Sequence, residues 1–158
     1  MILYVAIGGL FAFMGAIVYY STLDFPELEK SELDLLSVDV VEIDSIENRI
    51  FLKIIFGITN HGERTVTVPD ISFELFANGQ SLGSDSYSTS DIPMTGRVLL
   101  TSGLQVTVPA EITINLTDDN KDIYEAIAAG ESLDYRVIGQ YTIETAWQLL
   151  DLQFDSSI

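Results

Sequence analysis

The sequence of 158 residues has no cysteine and only one histidine, His61. Without cysteine there is no disulfide framework, thiolate metal site or cysteine nucleophile. A single histidine excludes histidine-rich metal sites and most catalytic triads. Basic residues are scarce, with 7 lysines and arginines against 24 acidic residues, and the formal net charge is −17. Because phosphate binding needs a basic face, this charge argues against nucleic acid and anionic lipid headgroups as partners.

The chain also lacks the short motifs of common enzymes, including a glycine-rich phosphate loop, a G-x-S-x-G elbow and an H-E-x-x-H helix. Its densest carboxylate cluster comprises Asp118, Asp119, Asp122 and Glu125, whose spacing is not that of an EF-hand loop. The helix dipole already explains acidic side chains at the start of a helix. The sequence therefore predicts a non-enzymatic protein with no catalytic residue, no metal site and no cofactor.

A long apolar stretch, from Ile2 to Tyr20, contains no charged side chain. As a helix, these nineteen residues would span about 28 Å, close to the hydrocarbon thickness of a bilayer. Tyr19 and Tyr20 stand where an interfacial aromatic belt would lie. No basic region precedes the stretch and no A-x-A-like site follows it, which argues against a cleaved signal peptide. We predict a retained single-pass transmembrane helix that has the lipid bilayer as its partner.

One face of this helix carries small residues. Gly8, Ala12 and Ala16 recur every four residues, a spacing that lets two transmembrane helices approach closely. These three positions are therefore candidates for helix–helix packing, either by self-association or with a protein partner.

The distribution of charge bears on membrane orientation. Every charged side chain lies at Asp24 or beyond, and the first basic residue is Lys30. The α-amino group is then the positive charge that favours a cytoplasmic N-terminus. This predicts that the acidic domain is extracytoplasmic.

Beyond the helix the apolar period changes from helical to two, which is typical of strands. Alternating runs cover Leu36–Val40, Ile50–Ile58, Thr65–Ala77, Leu104–Leu116, Leu133–Ile143 and Trp147–Phe154. Asn78-Gly79 is a strong hairpin signal, because a type I′ turn needs positive φ at both central residues. Gln80–Ser90 is polar and predicts an exposed edge strand or loop. Pro109 implies an edge position or a bulge.

A single helix is predicted outside the membrane segment, over Asp118–Gly130, with Ile123, Tyr124 and Ile127 on one face and Gly130 as its stop. About seven strands joined by short turns predict an antiparallel β-sandwich of immunoglobulin-like size. The domain organisation is an anchor over residues 1–22, a linker over 23–32 containing Pro26, and a sandwich over 33–158. The alternating apolar faces predict burial of Phe56, Phe73, Leu75, Val137 and Tyr141.

Four stretches of the predicted sandwich carry a family resemblance: Phe56–Asn60, Val68–Gly79, Asp91–Pro93 and Leu133–Gly139. Together they resemble the LEA14-like or WHy domain family, late embryogenesis abundant group 2. The family usually continues the first of these stretches with Pro-Asn, where this chain has His61-Gly62. The resemblance implies a β-sandwich with one helix and a role in stress protection. It implies no catalytic residues.

Two functions stay open. The first is a membrane-tethered, non-enzymatic module at the cell surface that protects against stress or binds a partner. The second is a structural subunit of a membrane or cell-surface assembly, archaellum stator-like or pilus-like, since such proteins also combine one N-terminal helix with a β-sandwich. Asn115-Leu116-Thr117 fits the N-glycosylation pattern, so Asn115 is a candidate modification site if the domain lies outside the cell.

Overall fold

The computed structural model describes residues 2–22, 25–89, 98–145 and 148–158. The resemblance stretch Asp91–Pro93 and the predicted strand start Trp147 lie outside these ranges. The described elements are α1 (Ile2–Thr22), α2 (Phe25–Leu28), β1 (Ser31–Asp44), β2 (Arg49–Asn60), β3 (Val66–Ala77), β4 (Gln80–Ser88), β5 (Val98–Leu100), β6 (Gln105–Asn115), α3 (Lys121–Ala129), β7 (Tyr135–Glu144) and β8 (Leu149–Ser157).

The strands form two antiparallel sheets. One has the order β1-β2-β6, and the other has the order β4-β3-β7-β8, with the short β5 also paired to β3. The hydrophobic core lies between the two sheets. This architecture confirms the prediction of a mostly β, antiparallel sandwich.

The centre of the core is the inner face of β2, whose alternating positions are fully buried. Ile50, Leu52, Ile54, Phe56 and Ile58 all have 0% exposure. Phe56 contacts the ring of Phe73 across the sandwich at a centroid distance of 5.2 Å, and that of Phe154 at 5.9 Å. The predicted core residues Leu75, Val137 and Tyr141 are buried as well.

Strand β1 departs from a regular alternation of inner and outer side chains. The register of the pairing with β2 shifts between Leu35 and Ser37 and again between Val40 and Glu42. Each shift is a β-bulge, after which the side chains of β1 point to the opposite face from the one that strict alternation predicts. Leu33 and Leu35 are buried, whereas Leu36 and Val40 are each 42% exposed. The alternating run Leu36–Val40 therefore does not form one buried face, although Val38 packs against the core.

The predicted turn and edge signals are confirmed. Asn78 and Gly79 have φ values of 49° and 82° and join β3 to β4 as a two-residue hairpin. Strand β4 lies at the edge of its sheet, as the polar run Gln80–Ser90 predicted. Pro109 lies within β6, which pairs with β2 in unbroken register and is an edge strand of the smaller sheet. An edge position tolerates the missing N–H of proline.

Helix α3 has the predicted amphipathic arrangement. Tyr124 and Ile127 are buried, and Ile123 packs against the core. Gly130 adopts a left-handed conformation with φ of 72°, and its N–H group points to the carbonyls of Ala126 and Ile127. Glycine tolerates this conformation without a steric penalty, so the helix ends where the sequence predicted.

Asn60 is the buried polar residue that closes one end of the sandwich. It is 1% exposed. Its side-chain amide donates to the carbonyls of Arg64 at 2.7 Å and Leu100 at 3.1 Å, and its Oδ1 accepts from the N–H of Gly62 at 2.9 Å. The carbonyl of Asn60 accepts from Gly103 N–H at 2.8 Å. One side chain thus fixes the turn after β2 and the loop after β5.

The turn held by Asn60 receives residues 25–30, which we call the docked segment. Leu28 has 0% exposure. The N–H of His61 donates to the carbonyl of Lys30 at 3.0 Å, and the N–H of Glu63 donates to Glu27 Oε2 at 2.7 Å. Much of the predicted polar linker therefore packs on the sandwich, and β1 begins at Ser31, two residues before the predicted domain start.

Helix α1 covers the predicted anchor, and its described side chains from Tyr4 to Tyr20 are all exposed. Among the residues placed by the structure, no helix has the length and hydropathy needed to cross a membrane. The transmembrane span predicted from the sequence is therefore not supported by the structure.

Gly139 in β7 lies on the inner face between two aromatic residues. A Cβ atom at this position would lie 2.1 Å from the Ser72 carbonyl oxygen, 2.9 Å from Phe73 Cα and 3.0 Å from Phe154 Cε1. The first two are backbone atoms, which cannot rotate away. The close approach of β3 and β7, with an aromatic ring beside the glycine, therefore requires the absence of a side chain.

We predict that Gly139→Ala lowers the free energy of unfolding by at least about 2 kcal/mol, because the backbone must move to admit the methyl group. The matched control is Gln140→Ala, at the exposed neighbouring position, which should change stability by less than about 0.5 kcal/mol. Urea unfolding of both variants measures the difference. Equal stabilities for the two variants would contradict the assigned packing.

Candidate functional site

A shallow concavity of about 930 Å³ lies across β4, β3, β7 and β8, and we call it the outer-face groove. It lies on the face of the larger sheet that points away from the core. Its lining residues are Ser72, Phe73, Glu74, Ser84, Asp85, Ser86, Ile138, Gly139, Gln140, Gln153, Phe154 and Asp155.

The register of the four strands creates two polar rows in the groove. The first row is Ser86, Ser72, Gln140 and Gln153, and the second is Ser84, Glu74, Ile138 and Asp155. Because side chains alternate between the two faces of a strand, residues directly opposite each other in register share a face. The serines of β4 are small and the glutamines of β7 and β8 are long, so the rows form a depression rather than a flat surface.

Two carboxylates of the groove, Asp155 and Glu74, have side-chain hydrogen-bond partners. Arg136 Nε donates to Asp155 Oδ1 at 2.7 Å, and Arg136 NH2 donates to the second carboxylate oxygen in a bidentate ion pair. This pair lowers the pKa of Asp155 and raises that of Arg136. Glu74 Oε1 accepts a hydrogen bond from the Ser81 hydroxyl at 2.5 Å. Both carboxylates are therefore held in fixed positions.

The side chains of these two rows can donate and accept hydrogen bonds. The groove presents hydroxyls, amides and carboxylates, and His61 is not among its lining residues. Among the described residues, no group of three or more histidine, aspartate or glutamate side chains is arranged to hold a metal ion. The two rows place hydrogen-bond donors and acceptors on four neighbouring strands, with the apolar side chain of Ile138 among them.

A second concavity, of about 490 Å³, lies at the hairpin end of the same sheet. Asn78 and Asp134 join there through two hydrogen bonds, from Asn78 N–H to the Asp134 carbonyl at 2.9 Å and from Asp134 N–H to Asn78 Oδ1 at 3.0 Å. Tyr135 lines the concavity, and burial raises the pKa of its hydroxyl. Arg136 lines this second concavity and pairs with Asp155, which lines the outer-face groove.

The site residues predicted from the sequence lie elsewhere. Asn115 is exposed at the end of β6, where its carbonyl accepts from Asn120 Nδ2 at 2.9 Å. The Thr117 hydroxyl of the same pattern accepts from Asn120 N–H at 3.3 Å. Gly8, Ala12 and Ala16 are exposed on α1, and a Cβ at Gly8 would meet no atom within 4 Å. The structure places neither set in the groove.

The groove was missed because its residues form no motif. The outward positions of β3 and β7 can be read from the period of two, but Ser72 and Gln140 are far apart in sequence. They meet only because β7 pairs with β3. Sequence periodicity gives the face of each strand, whereas the order of strands in the sheet decides which faces combine.

No protein family model matches this chain, and no curated protein matches it either. Among solved structures, a target of the Northeast Structural Genomics Consortium is similar at a TM-score of 0.52 and 9% identity, covering 82% of this chain and 87% of that one. This likeness shows a shared fold and nothing more.

Two further solved structures are less similar, with TM-scores under 0.5. One, described as a candidate late embryogenesis abundant (LEA) protein, has a TM-score of 0.46 at 13% identity and covers 96% of this chain and 85% of its own. The other, an Archaeoglobus fulgidus protein, has a TM-score of 0.45 at 17% identity and covers 79% and 94%.

The Arg136–Asp155 pair predicts a pH-dependent effect. A carboxylate whose folded-state pKa lies below its ordinary value of 3.8 stabilises the fold above that value and loses this effect as the pH falls through the lower, folded-state pKa. Arg136→Gln should therefore lower the free energy of unfolding at neutral pH, with a difference from wild type that shrinks on acidification. Urea unfolding across a pH series measures it, with Gln140→Ala as the control whose small difference stays constant. A pH-independent effect of Arg136→Gln would contradict the assignment.

Proposed function

We propose that this protein is a non-enzymatic β-sandwich module, attached to a membrane through α1, which binds a polar partner at the cell surface. The observation that carries the proposal is α1 itself. Residues 2–20 have no charged side chain, and the described ones from Tyr4 to Tyr20 are exposed on every side of the helix. A helix that is apolar all round is stable when lipid or protein surrounds it, and unstable in water.

The outer-face groove supports the binding part of the proposal. It presents two rows of polar groups, and its ion pair and hydrogen bonds hold the carboxylates of Asp155 and Glu74 in place. Preorganised polar groups of this kind reduce the entropic cost of binding. The sandwich with one helix also supports membership of the LEA14-like family, and with it a stress-protective role. That membership rests on the resemblance stretches, such as Phe56–Asn60.

One observation favours a second function, that of a structural subunit in a membrane or cell-surface assembly. The end of the sandwich farthest from the docked segment carries exposed apolar side chains, and we call it the distal tip. These are Ile46 at 93%, Val41 at 58%, Ile43 at 40% and Leu116 at 37% exposure. Grouped exposed apolar residues mark protein contacts more often than scattered ones do. Detergent extraction at native expression levels separates the two functions, because a subunit would copurify in a defined complex and a module would not.

Membrane attachment predicts resistance to extraction. The full chain should remain in the membrane pellet after an alkaline carbonate wash, because the apolar side chains of α1 are stabilised by lipid. Introducing two charges, by Leu10→Arg with Met14→Arg, should move most of the protein to the supernatant. Ile46→Arg, at the exposed distal tip, is the matched control and should stay in the pellet. Release of the unaltered chain would contradict the attachment.

We further propose that the sandwich is extracytoplasmic. The residues that follow α1 provide no basic cluster to hold them at the cytoplasmic face, since Lys30 pairs with Glu27 and the chain carries a charge of −17. In a glycosylating host, the exposed Asn115 would then be available for modification.

The natural absence of cysteine allows a direct test of this location. Ile46→Cys and Ser86→Cys, at two exposed positions, should both react with a membrane-impermeant maleimide on intact cells. Labelling of the cysteine-free wild type measures the non-specific background. Cells stripped of any covering surface layer provide the needed control for access. Labelling that appears only after lysis would reverse the orientation and remove the modification proposed for Asn115.

A further inference from the structure

Three exposed leucines surround the end of the sandwich where the docked segment enters, which we call the entry end. Leu99 and Leu149 are each 58% exposed, and Leu104 is 57% exposed. Leu104 belongs to the loop fixed by Asn60, since its carbonyl accepts from the N–H of Asn60 at 3.5 Å. The other two belong to strands of the larger sheet.

The register places Leu99 and Leu149 at the same level of the sandwich. Leu99 pairs with Thr67 at the start of β3, Thr67 pairs with Glu144 at the end of β7, and Glu144 pairs with Leu149 at the start of β8. Strand β3 begins after the turn that receives the docked segment. All three leucines therefore lie at the end of the sandwich from which the chain leads back to α1.

The chain between α1 and the sandwich is short. From Thr22 to Phe25 it can reach at most about 11 Å, and the helical rise from Phe25 to Leu28 adds about 4.5 Å. Leu28 is buried at the entry end, so this end lies within about 15 Å of the end of α1. The 12 residues of β2 span about 36 Å. The segment of about 15 Å between α1 and Leu28 is much shorter than the sandwich, which is about 36 Å long. The distal tip therefore cannot come as close to the end of α1 as the entry end does.

The outer face of the smaller sheet is unsuited to contact with a bilayer. Paired with β2, the outward positions of β1 form an acidic row that includes Glu32, Asp34, Asp39, Glu42 and Asp44. Carboxylates remain strongly hydrated and are repelled by anionic headgroups. At the entry end, the three exposed leucines gain free energy when they leave water.

We propose that the entry end lies against the bilayer, with Leu99, Leu104 and Leu149 in contact with neutral lipids. This proposal rests on the proposed attachment of α1 to the membrane. It orients the molecule, since the distal tip then points away from the membrane by about the length of β2, roughly 36 Å. The strands bordering the outer-face groove run away from the bilayer, which leaves the groove open to partners from the side.

Fluorescence quenching in vesicles tests this orientation with the full chain. Leu104→Cys and Ile46→Cys replace exposed apolar residues at opposite ends, and each gives a single site for an environment-sensitive fluorophore. The chains are reconstituted in phosphatidylcholine vesicles that contain a lipid carrying a quencher on its acyl chain. Circular dichroism of both labelled chains confirms that they are folded. Vesicle flotation is measured first, on the same samples.

The expected result is flotation of both chains, with blue-shifted emission and at least about twofold quenching at position 104 only, because lipid quenchers act at contact range. Flotation with equal, aqueous emission at positions 104 and 46 would overturn the orientation and leave the attachment of α1 standing. Quenching at position 46 alone would likewise overturn it. Failure of the unlabelled chain to float would remove both the attachment and the orientation.

Discussion

The buried side chain of Asn60 holds together the end of the sandwich at which the chain enters the domain. Its amide and carbonyl groups bond to Gly62, Arg64 and Leu100, three backbone positions in two separate turns. A buried amide of this kind is stable only when all its groups have partners, so the turns must keep their conformations. With the turn after β2 fixed in this way, the N–H groups of His61 and Glu63 are placed to donate to the docked segment.

Because of these hydrogen bonds, residues 25–30, which the sequence predicts to be a linker, are part of the folded domain. Glu27 accepts from Lys30 and from the N–H of Glu63, and both bonds lower the pKa of its carboxyl group. Leu28 adds an apolar contact beneath them. Because the segment is docked, the distance between α1 and the sandwich is set by a few residues. The proposed orientation follows from that short distance together with the proposed attachment of α1.

Much of the fold can be predicted from local signals. The buried face of β2, the Asn78-Gly79 turn, the edge position of β4 and the stop of α3 at Gly130 all depend on neighbours in sequence. The inner side of β1 could not be predicted, because its two irregularities at Leu35 and Val40 arise from pairing with β2. The groove was hidden for a related reason. Its rows depend on β7 lying beside β3, and no property of Ser72 or Gln140 alone indicates this neighbour.

Asn60 also gives the most direct test of the central claim, that the docked segment is held by the turn after β2. Native-state hydrogen exchange can be measured for the amides of His61, Gly62 and Glu63 in wild type and in Asn60→Ala, with Asn115→Ala as the exposed control. We predict a loss of protection at these amides in Asn60→Ala. The amides at the centre of β2 should remain protected, and the control should match wild type. Unchanged protection of the His61 and Glu63 amides in Asn60→Ala would contradict it.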